Sequence, residues 1–304
     1  MNPTRIHRTP CRLRSATRTT TTGTAVAVAV ALTIAGCGTP AAPMPLAEPV
    51  GSPPTTATAA SSLSPAPRLD SPQGRILALA ARLTPAPADA STGPYIYTRE
   101  QAWLRAGARL DGFDTERWRQ VDGSGRTLER HQPGVAALDH EPTNADRRRL
   151  AQVPVNETVH SWGSLPAPVE DPVPTDVNEL AAAIAVNNPR ENGPLALITG
   201  LADVAGTTAP NRSQRATVLR LLATIPAISI DERDRDAAGR PGVTVGLSHG
   251  GDSRHLTFDP ETGELLAYRD HAAGGVRPGL FAYRLYLGQG RTATDRQPPA
   301  PAPA

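Results

Sequence analysis

The 304-residue sequence contains no lysine, only two cysteines and few aromatic residues. Cys11 and Cys37 both lie near the N-terminus, so the rest of the chain has no thiol for a disulfide or a thiolate metal site. The histidines lack the spacing of zinc ligands. The acidic residues at 231–236 and 259–264 do not follow the twelve-residue calcium loop. The sequence therefore predicts no metal and no cofactor.

Catalytic motifs are also missing from the sequence. His249-Gly250-Gly251 matches part of an esterase oxyanion motif, but no Gly-x-Ser-x-Gly nucleophile elbow accompanies it. A glycine hairpin is the better interpretation of these residues. No pair of carboxylates has a spacing that indicates a wall hydrolase. We therefore expect a protein that is not an enzyme and has no catalytic residues.

One long uncharged, mostly apolar run is present, at 24–36, and it follows five arginines with no acidic residue among them. A basic segment before a short apolar run is typical of a secretory leader. The run is shorter than the roughly 20 residues that cross a membrane, which favours cleavage over a permanent span. The sequence therefore predicts a signal peptide at 1–36.

The end of the leader, Ile34-Ala35-Gly36-Cys37, resembles a bacterial lipobox. In lipobox signals the cysteine receives a diacylglyceryl group and becomes the new N-terminus. Several acyl chains, palmitate among them, hold a protein stably on a membrane where one chain does not. The resemblance implies lipidation at Cys37 and a place on the extracytoplasmic face of the cell membrane. An ordinary signal cut elsewhere and an uncleaved anchor are the alternatives.

Cleavage of this leader changes the charge of the chain. The whole sequence has 31 basic and 29 acidic residues, a net charge of +2. Five of the basic residues lie in the leader, so the mature chain has 26 basic against 29 acidic residues and a net charge near −3. A strongly basic surface is the usual mark of nucleic-acid binding. We therefore expect no nucleic-acid partner.

The composition divides the remaining chain into three parts. Residues 37–70 are rich in Pro, Ala, Ser and Thr and poor in the large apolar side chains that form a core, which predicts a disordered tether behind the lipidated cysteine. Residues 71–290 are expected to form a single domain. Residues 291–304 end in proline and alanine and are expected to be a disordered tail.

Local patterns within 71–290 predict helices and strands in a definite order. Helical periodicity predicts helices at 71–83, 176–189, 192–202 and 210–226. Alternating patterns and turn residues predict strands at 95–104, 116–121, 126–130, 155–162, 228–234, 243–247, 254–258, 265–271 and 279–287. The rest of 131–175 contains many prolines and is expected to be a loop, with Arg147, Arg148 and Arg149 on a solvated face.

Short turns between consecutive strands favour antiparallel pairing. The predicted fold class is α+β, with one curved antiparallel sheet packed on about three to four helices. Tyr95, Tyr97, Trp103 and Trp118 are expected to pack in the core or across strands, or alternatively to line a lipid cavity.

Two blocks of the chain resemble an uncharacterised actinobacterial family of extracytoplasmic proteins. The first is Glu116-Arg117-Trp118 with the turn 122–126, and the second is 238–243 followed by 258–265. The resemblance spans about 95–271. Members of this family are often encoded beside extracytoplasmic-function sigma factors, and many have a membrane span where this chain has a lipobox. The family is distantly similar to lipoprotein-carrier-like domains, which implies a half-barrel sheet wrapped around helices and an apolar cavity.

These observations lead to an expected function. The protein is predicted to be a membrane-anchored extracytoplasmic lipoprotein and a non-catalytic binding or sensing module for a lipid or another apolar ligand. The ligand is expected in a groove between the sheet and the helices. The alternative is a protein-interaction accessory of an envelope-stress (anti-sigma) system, with an envelope protein as its partner.

Overall fold

The computed structural model describes residues 68–137, 139–274 and 278–299. Cys37, the leader and the tether as far as residue 67 lie outside these residues. All described elements belong to one compact unit, Leu63–Ala304, which contains its own hydrophobic core. Nine strands and five α-helices are present in the described residues, and none of those helices is long and apolar enough to cross a membrane.

The nine strands form one antiparallel sheet in the order β4-β3-β2-β1-β9-β8-β7-β6-β5. The strands are β1 Tyr95–Ala106, β2 Arg109–Arg119, β3 Gly125–Ala136, β4 Asn156–His160, β5 Ser229–Arg235, β6 Pro241–His249, β7 Asp252–Phe258, β8 Leu265–Ala272 and β9 Gly279–Thr292. Strands β4 and β5 lie at the two edges, so the sheet is not closed. The α+β class and the dominant antiparallel sheet are confirmed.

The turns between strands are set by glycine. Gly250 and Gly251 join β6 to β7 with φ angles of 63° and 90°, a region that disfavours other residues. This confirms that His249-Gly250-Gly251 forms a hairpin. Strands β1 and β2 meet at Gly107, where φ is 63°. The sequence analysis did not predict this turn, and β2 is accordingly longer than expected.

The five helices cover both faces of the sheet. They are α1 Pro72–Arg82, α2 Asn144–Ala151, α3 Val177–Ala185, α4 Pro194–Thr207 and α5 Arg212–Leu222. The side chains of Ser71, Asp176 and Asn211 accept hydrogen bonds from backbone N–H groups in the first turns of α1, α3 and α5. Such caps satisfy donors that have no partner within the helix. Four helices pack on one face, and α2 packs on the other.

The space between the sheet and the four helices is filled by side chains. Phe258, Tyr268 and Tyr286 project from the sheet and are almost completely buried against α4 and its neighbours. The Tyr286 hydroxyl donates to the Ala202 carbonyl at 3.1 Å. These large side chains occupy the central part of the interface at which the apolar groove was expected.

On the opposite face, α2 covers a second core that contains Trp103, Leu150 and Tyr283. The sequence analysis placed residues 144–151 in a loop, and this was wrong. Helix α2 begins with a capping box in which Thr143 and Asp146 bond each other's backbone N–H groups. Arg147 donates to Gln101 at 2.9 Å and Arg149 pairs with Asp146. Arg148 and Arg149 are nevertheless exposed, so the expected solvated face is present, on a helix instead of a loop.

The aromatic residues of the first strands pack against one another, as expected. The rings of Tyr97 and Trp118 lie 5.1 Å apart across β1 and β2. The Trp118 indole also donates to the Gln297 carbonyl at 3.0 Å, and Arg126 donates to the Asp295 carbonyl. Ordered structure therefore extends past residue 290, where the domain was predicted to end.

Candidate functional site

An apolar groove lies among α3, α4 and α5, away from the sheet. Its volume is about 410 Å³, within the usual range of small-molecule sites. The apolar side chains that line the groove are Val177, Ala181, Ile184, Ala185, Pro194, Leu197, Leu221, Ile225 and Pro226. We call this cavity the helical groove.

The close approach of α3 and α4 at this groove depends on Gly200. A Cβ atom at that position would lie only 2.3 Å from Cγ2 of Ile184. Ile184 itself is buried between the helices and also lines the groove. The groove thus depends on the close packing of α3 against α4, which is possible because Gly200 has no side chain at the contact.

The rim of the helical groove is polar. Asn178, Asn188, Arg190 and Thr224 line it together with the apolar residues, and Arg190 is the single charged side chain of this lining. Arg190 is exposed to solvent. The groove can therefore hold an apolar chain along its floor while the guanidinium at the rim contacts an anionic or polar group.

A second cavity, of about 320 Å³, lies on the opposite face of the sheet. It brings together His140, His255 and His271, which show no metal-ligand spacing in the sequence. Burial lowers the pKa of His255, and the neighbouring charges of Arg269 and His271 lower it further. Within the described residues no group of His, Cys, Asp or Glu is arranged to hold a metal ion.

Arg269 occupies the centre of this second cavity and is held by acidic partners. Its guanidinium donates to Glu141 at 3.0 Å and also pairs with Asp234. Since the cation is already neutralised by two carboxylates, the cavity offers no unpaired charge at its centre. The helical groove is therefore the better candidate for ligand binding.

Some residues that line the helical groove could be identified from the sequence as an apolar face of a helix, but not as part of a binding site. Val177, Leu180, Ala181 and Ile184 are an apolar stripe of α3, and Leu180 and Ile184 are buried as expected. Val177 and Ala181 remain half-buried and line the groove. The apolar stripe of α3 is wider than a single packing contact requires, and this width was the sequence signal that could have indicated the groove. The predicted lipidation site, Cys37, lies outside the described residues.

Comparisons with known proteins give no relative for this chain. A scan against family models finds no match, and a search of curated proteins finds no significant similarity.

Proposed function

We propose that this protein is a lipid-anchored, extracytoplasmic binding module that holds an apolar ligand in the helical groove. The observation that carries the proposal is an accessible groove of about 410 Å³ whose floor is formed by aliphatic side chains of three helices. Burying apolar ligand surface there would contribute about 25 cal/mol for each Å² removed from water. No catalytic group takes part in this function.

The order of strands and helices supports a lipoprotein-carrier-like half-barrel as the finer description of the fold. An open antiparallel sheet with four helices on one face agrees with such a fold. The ligand site that we propose differs in place from a cavity enclosed by the sheet. It lies among the helices because Phe258, Tyr268 and Tyr286 fill the space beneath the sheet.

The proposed anchor is the lipid on Cys37, which is the first residue of the mature chain. The described domain begins about thirty residues later in sequence. A Pro-rich segment of this length, at roughly 3.1 Å per residue when extended, can hold the domain several nanometres from the membrane. The groove would then be free to meet ligands at the membrane surface or beyond it.

Adjacent alanines of α3 provide a matched test of the groove. Ala181 lines the groove, whereas Ala182 is exposed on the next position of the same helix. In residues 38–304, produced without leader or lipid, we expect Ala181→Trp to fill the groove and weaken the binding of dansyl-labelled undecanoic acid by at least about tenfold. Fluorescence titration measures the affinity. Equal binding by wild type, Ala181→Trp and Ala182→Trp would contradict the proposal.

A second candidate function is interaction with an envelope protein such as a membrane anti-sigma factor. The observation that favours it is the edge strand β4, which pairs only with β3. Val159 on this strand and Trp162 just after it are 75% and 80% exposed. A free edge beside exposed apolar residues suits the addition of an extended segment from a partner.

This second candidate is tested by a pull-down of the anti-sigma factor encoded nearest to the gene. Trp162→Ser should reduce capture, because exposed tryptophans often contribute most to binding energy. Val186→Ser is the control, since Val186 is 77% exposed and lies just after α3, at a distance in sequence from β4. Equal loss of capture in both variants would argue against a contact at β4.

A further inference from the structure

A polar cleft of about 380 Å³ lies beside the C-terminal half of α4. Its floor is formed by Glu100 of β1, Arg117 of β2 and Arg284 of β9, which project from the helix-covered face of the sheet. Asp203, Gly206 and Thr207 of α4 form one wall. Residues 166–168 form the other wall. We call this cavity the polar cleft.

The walls of the polar cleft are fixed by hydrogen bonds. Asn187 donates from Nδ2 to the Pro168 carbonyl at 3.0 Å, which ties the proline-rich wall to the end of α3. Arg284 donates to Asp203 at 3.0 Å, which joins the sheet to α4. The ion pair between Arg284 and Asp203 also neutralises both of these charges. A ligand would therefore meet a preformed cavity.

Two charged residues of the floor are not paired in this way. Glu100 and Arg117 make no hydrogen bond and no salt bridge among the described residues, and the Nε of Arg117 is buried without an acceptor. A buried donor without a partner costs stability. Burial opposes the charge of Arg284, but Glu100 and Asp203 both favour it and its pKa is raised, so these two carboxylates share one cation. The cleft thus presents Arg117 on one side and a carboxylate, Glu100, that makes no hydrogen bond on the other.

The register of the strands sets the distance between the backbone positions of these two residues. Arg117 pairs with Thr98, and Glu100 is two residues further along β1 on the same face. Diagonal neighbours of this kind are separated by about 7–8 Å. Both side chains can therefore contact one small ligand that carries a positive and a negative group.

A third arginine strengthens the positive side of the cleft. Arg119 lies two residues beyond Arg117 on the same face of β2 and is only 3% exposed. Its Nη1 donates to the Gln120 carbonyl, while its Nε and Nη2 are buried without partners. An anionic group at Arg117 would also experience the charge of Arg119, which Asp171 partly offsets.

We propose that the polar cleft binds a small zwitterion, with its carboxylate or phosphate held by Arg117 and its primary ammonium group held by Glu100. A free amino acid or short peptide and a phosphoethanolamine headgroup share this chemistry. The site is separate from the helical groove, so its occupation does not depend on the proposed binding of an apolar ligand.

Isothermal titration calorimetry on residues 38–304 tests this proposal with dialanine and with phosphoethanolamine. We expect at least one of these zwitterions to bind in the millimolar range or tighter. A carboxylate source is indicated by dialanine binding and a phosphate source by phosphoethanolamine binding. N-acetyl-dialanine lacks the ammonium group and dialanine amide lacks the carboxylate, and each should bind at least about tenfold more weakly than dialanine if dialanine is bound.

Charge-removing variants locate the site. Arg117→Gln and Glu100→Gln should each weaken binding of the zwitterion by about tenfold or more. Arg148→Gln and Glu191→Gln are matched controls at exposed positions and should bind as wild type does. Circular dichroism shows whether each variant is folded. Absence of binding by both zwitterions, or equal binding by the Arg117, Glu100 and control variants, would overturn the proposal.

Discussion

Arg215 is a buried cation whose guanidinium donates several hydrogen bonds. Its side chain is 2% exposed, and its two terminal nitrogens donate to the Asp89 carboxylate at 2.9 and 2.8 Å. Its Nε donates to the Thr262 carbonyl. The pair connects α5 with a 3₁₀ turn at Pro87–Ala90 and with the β7–β8 loop. Burial opposes ionisation of Asp89, but hydrogen bonds from Arg215 and from backbone N–H groups outweigh it and lower the pKa of Asp89.

This ion pair predicts a pH-dependent loss of stability. Asp89→Asn leaves the Arg215 charge buried without its partner and should lower the free energy of unfolding by about 3 kcal/mol at neutral pH. Because the folded-state pKa of Asp89 is lowered, the stabilisation is present above the unfolded-state pKa of about 3.9 and is lost as pH falls through the folded-state value. The difference between wild type and variant should therefore shrink in strong acid.

Urea unfolding followed by circular dichroism measures this difference across the pH range. Glu232→Gln serves as the control, since the Arg75–Glu232 pair is exposed at 3.5 Å and should be worth less than about 1 kcal/mol. A difference between wild type and Asp89→Asn that stays constant into strong acid would contradict the assignment.

At the scale of elements, the contact between α3 and α4 determines the helical groove. Gly200 allows this contact, because any side chain there would meet Ile184. Gly200→Ala should separate the helices and lower the free energy of unfolding by about 1–3 kcal/mol. It should also change the affinity for the apolar probe. Gly274→Ala is the control, since a Cβ there meets no atom within 4 Å. Equal stability of the two variants in urea unfolding would exclude a tight contact at Gly200.

The segment after β9 provides a second prediction about an element. Deletion of 293–304 removes the acceptors for Trp118 and Arg126, and each lost hydrogen bond should cost about 1 kcal/mol. The buried indole of Trp118 should become accessible to a soluble quencher such as iodide. Deletion of 301–304 is the control. Unchanged tryptophan quenching after the longer deletion would show that the segment does not cover Trp118.

The sequence predicted those elements whose signals are local. Helix α3 has a capping aspartate at 176 and an apolar stripe, and β6 and β7 meet at a Gly-Gly turn, so each could be identified from neighbouring residues. Helix α2 has one fully buried apolar residue, Leu150, and its arginines obscure the pattern. Its position depends on contacts with β2 and β3, which sequence periodicity does not contain.

The candidate sites were less predictable than the elements. The helical groove needs side chains from three helices, and the polar cleft needs Glu100 and Arg117 from adjacent strands facing the end of α4. These groups are brought together by tertiary packing. The sequence also could not show that Phe258, Tyr268 and Tyr286 fill the space between the sheet and α4, because the residues that pack against them come from distant parts of the chain.

At the scale of the whole molecule, we propose that one chain combines a lipid anchor, a tether and a binding domain. Cys37→Ser removes the proposed acceptor of the lipid, so the protein should appear in the culture medium or remain as an uncleaved precursor. Cell fractionation with immunoblotting measures this. Wild-type protein should fractionate with the membrane at the size of the mature chain. Unchanged membrane attachment of a mature Cys37→Ser protein would contradict the anchor.

The central claim is that the helical groove holds an apolar molecule. Native mass spectrometry of the leaderless chain 38–304, secreted from the protein's own host by means of a non-lipoprotein leader, tests it most directly. We predict that an apolar molecule copurifies with wild type and with Ala182→Trp but not with Ala181→Trp. Wild-type protein that is repeatedly free of bound molecules, or that retains them equally in Ala181→Trp, would contradict the claim.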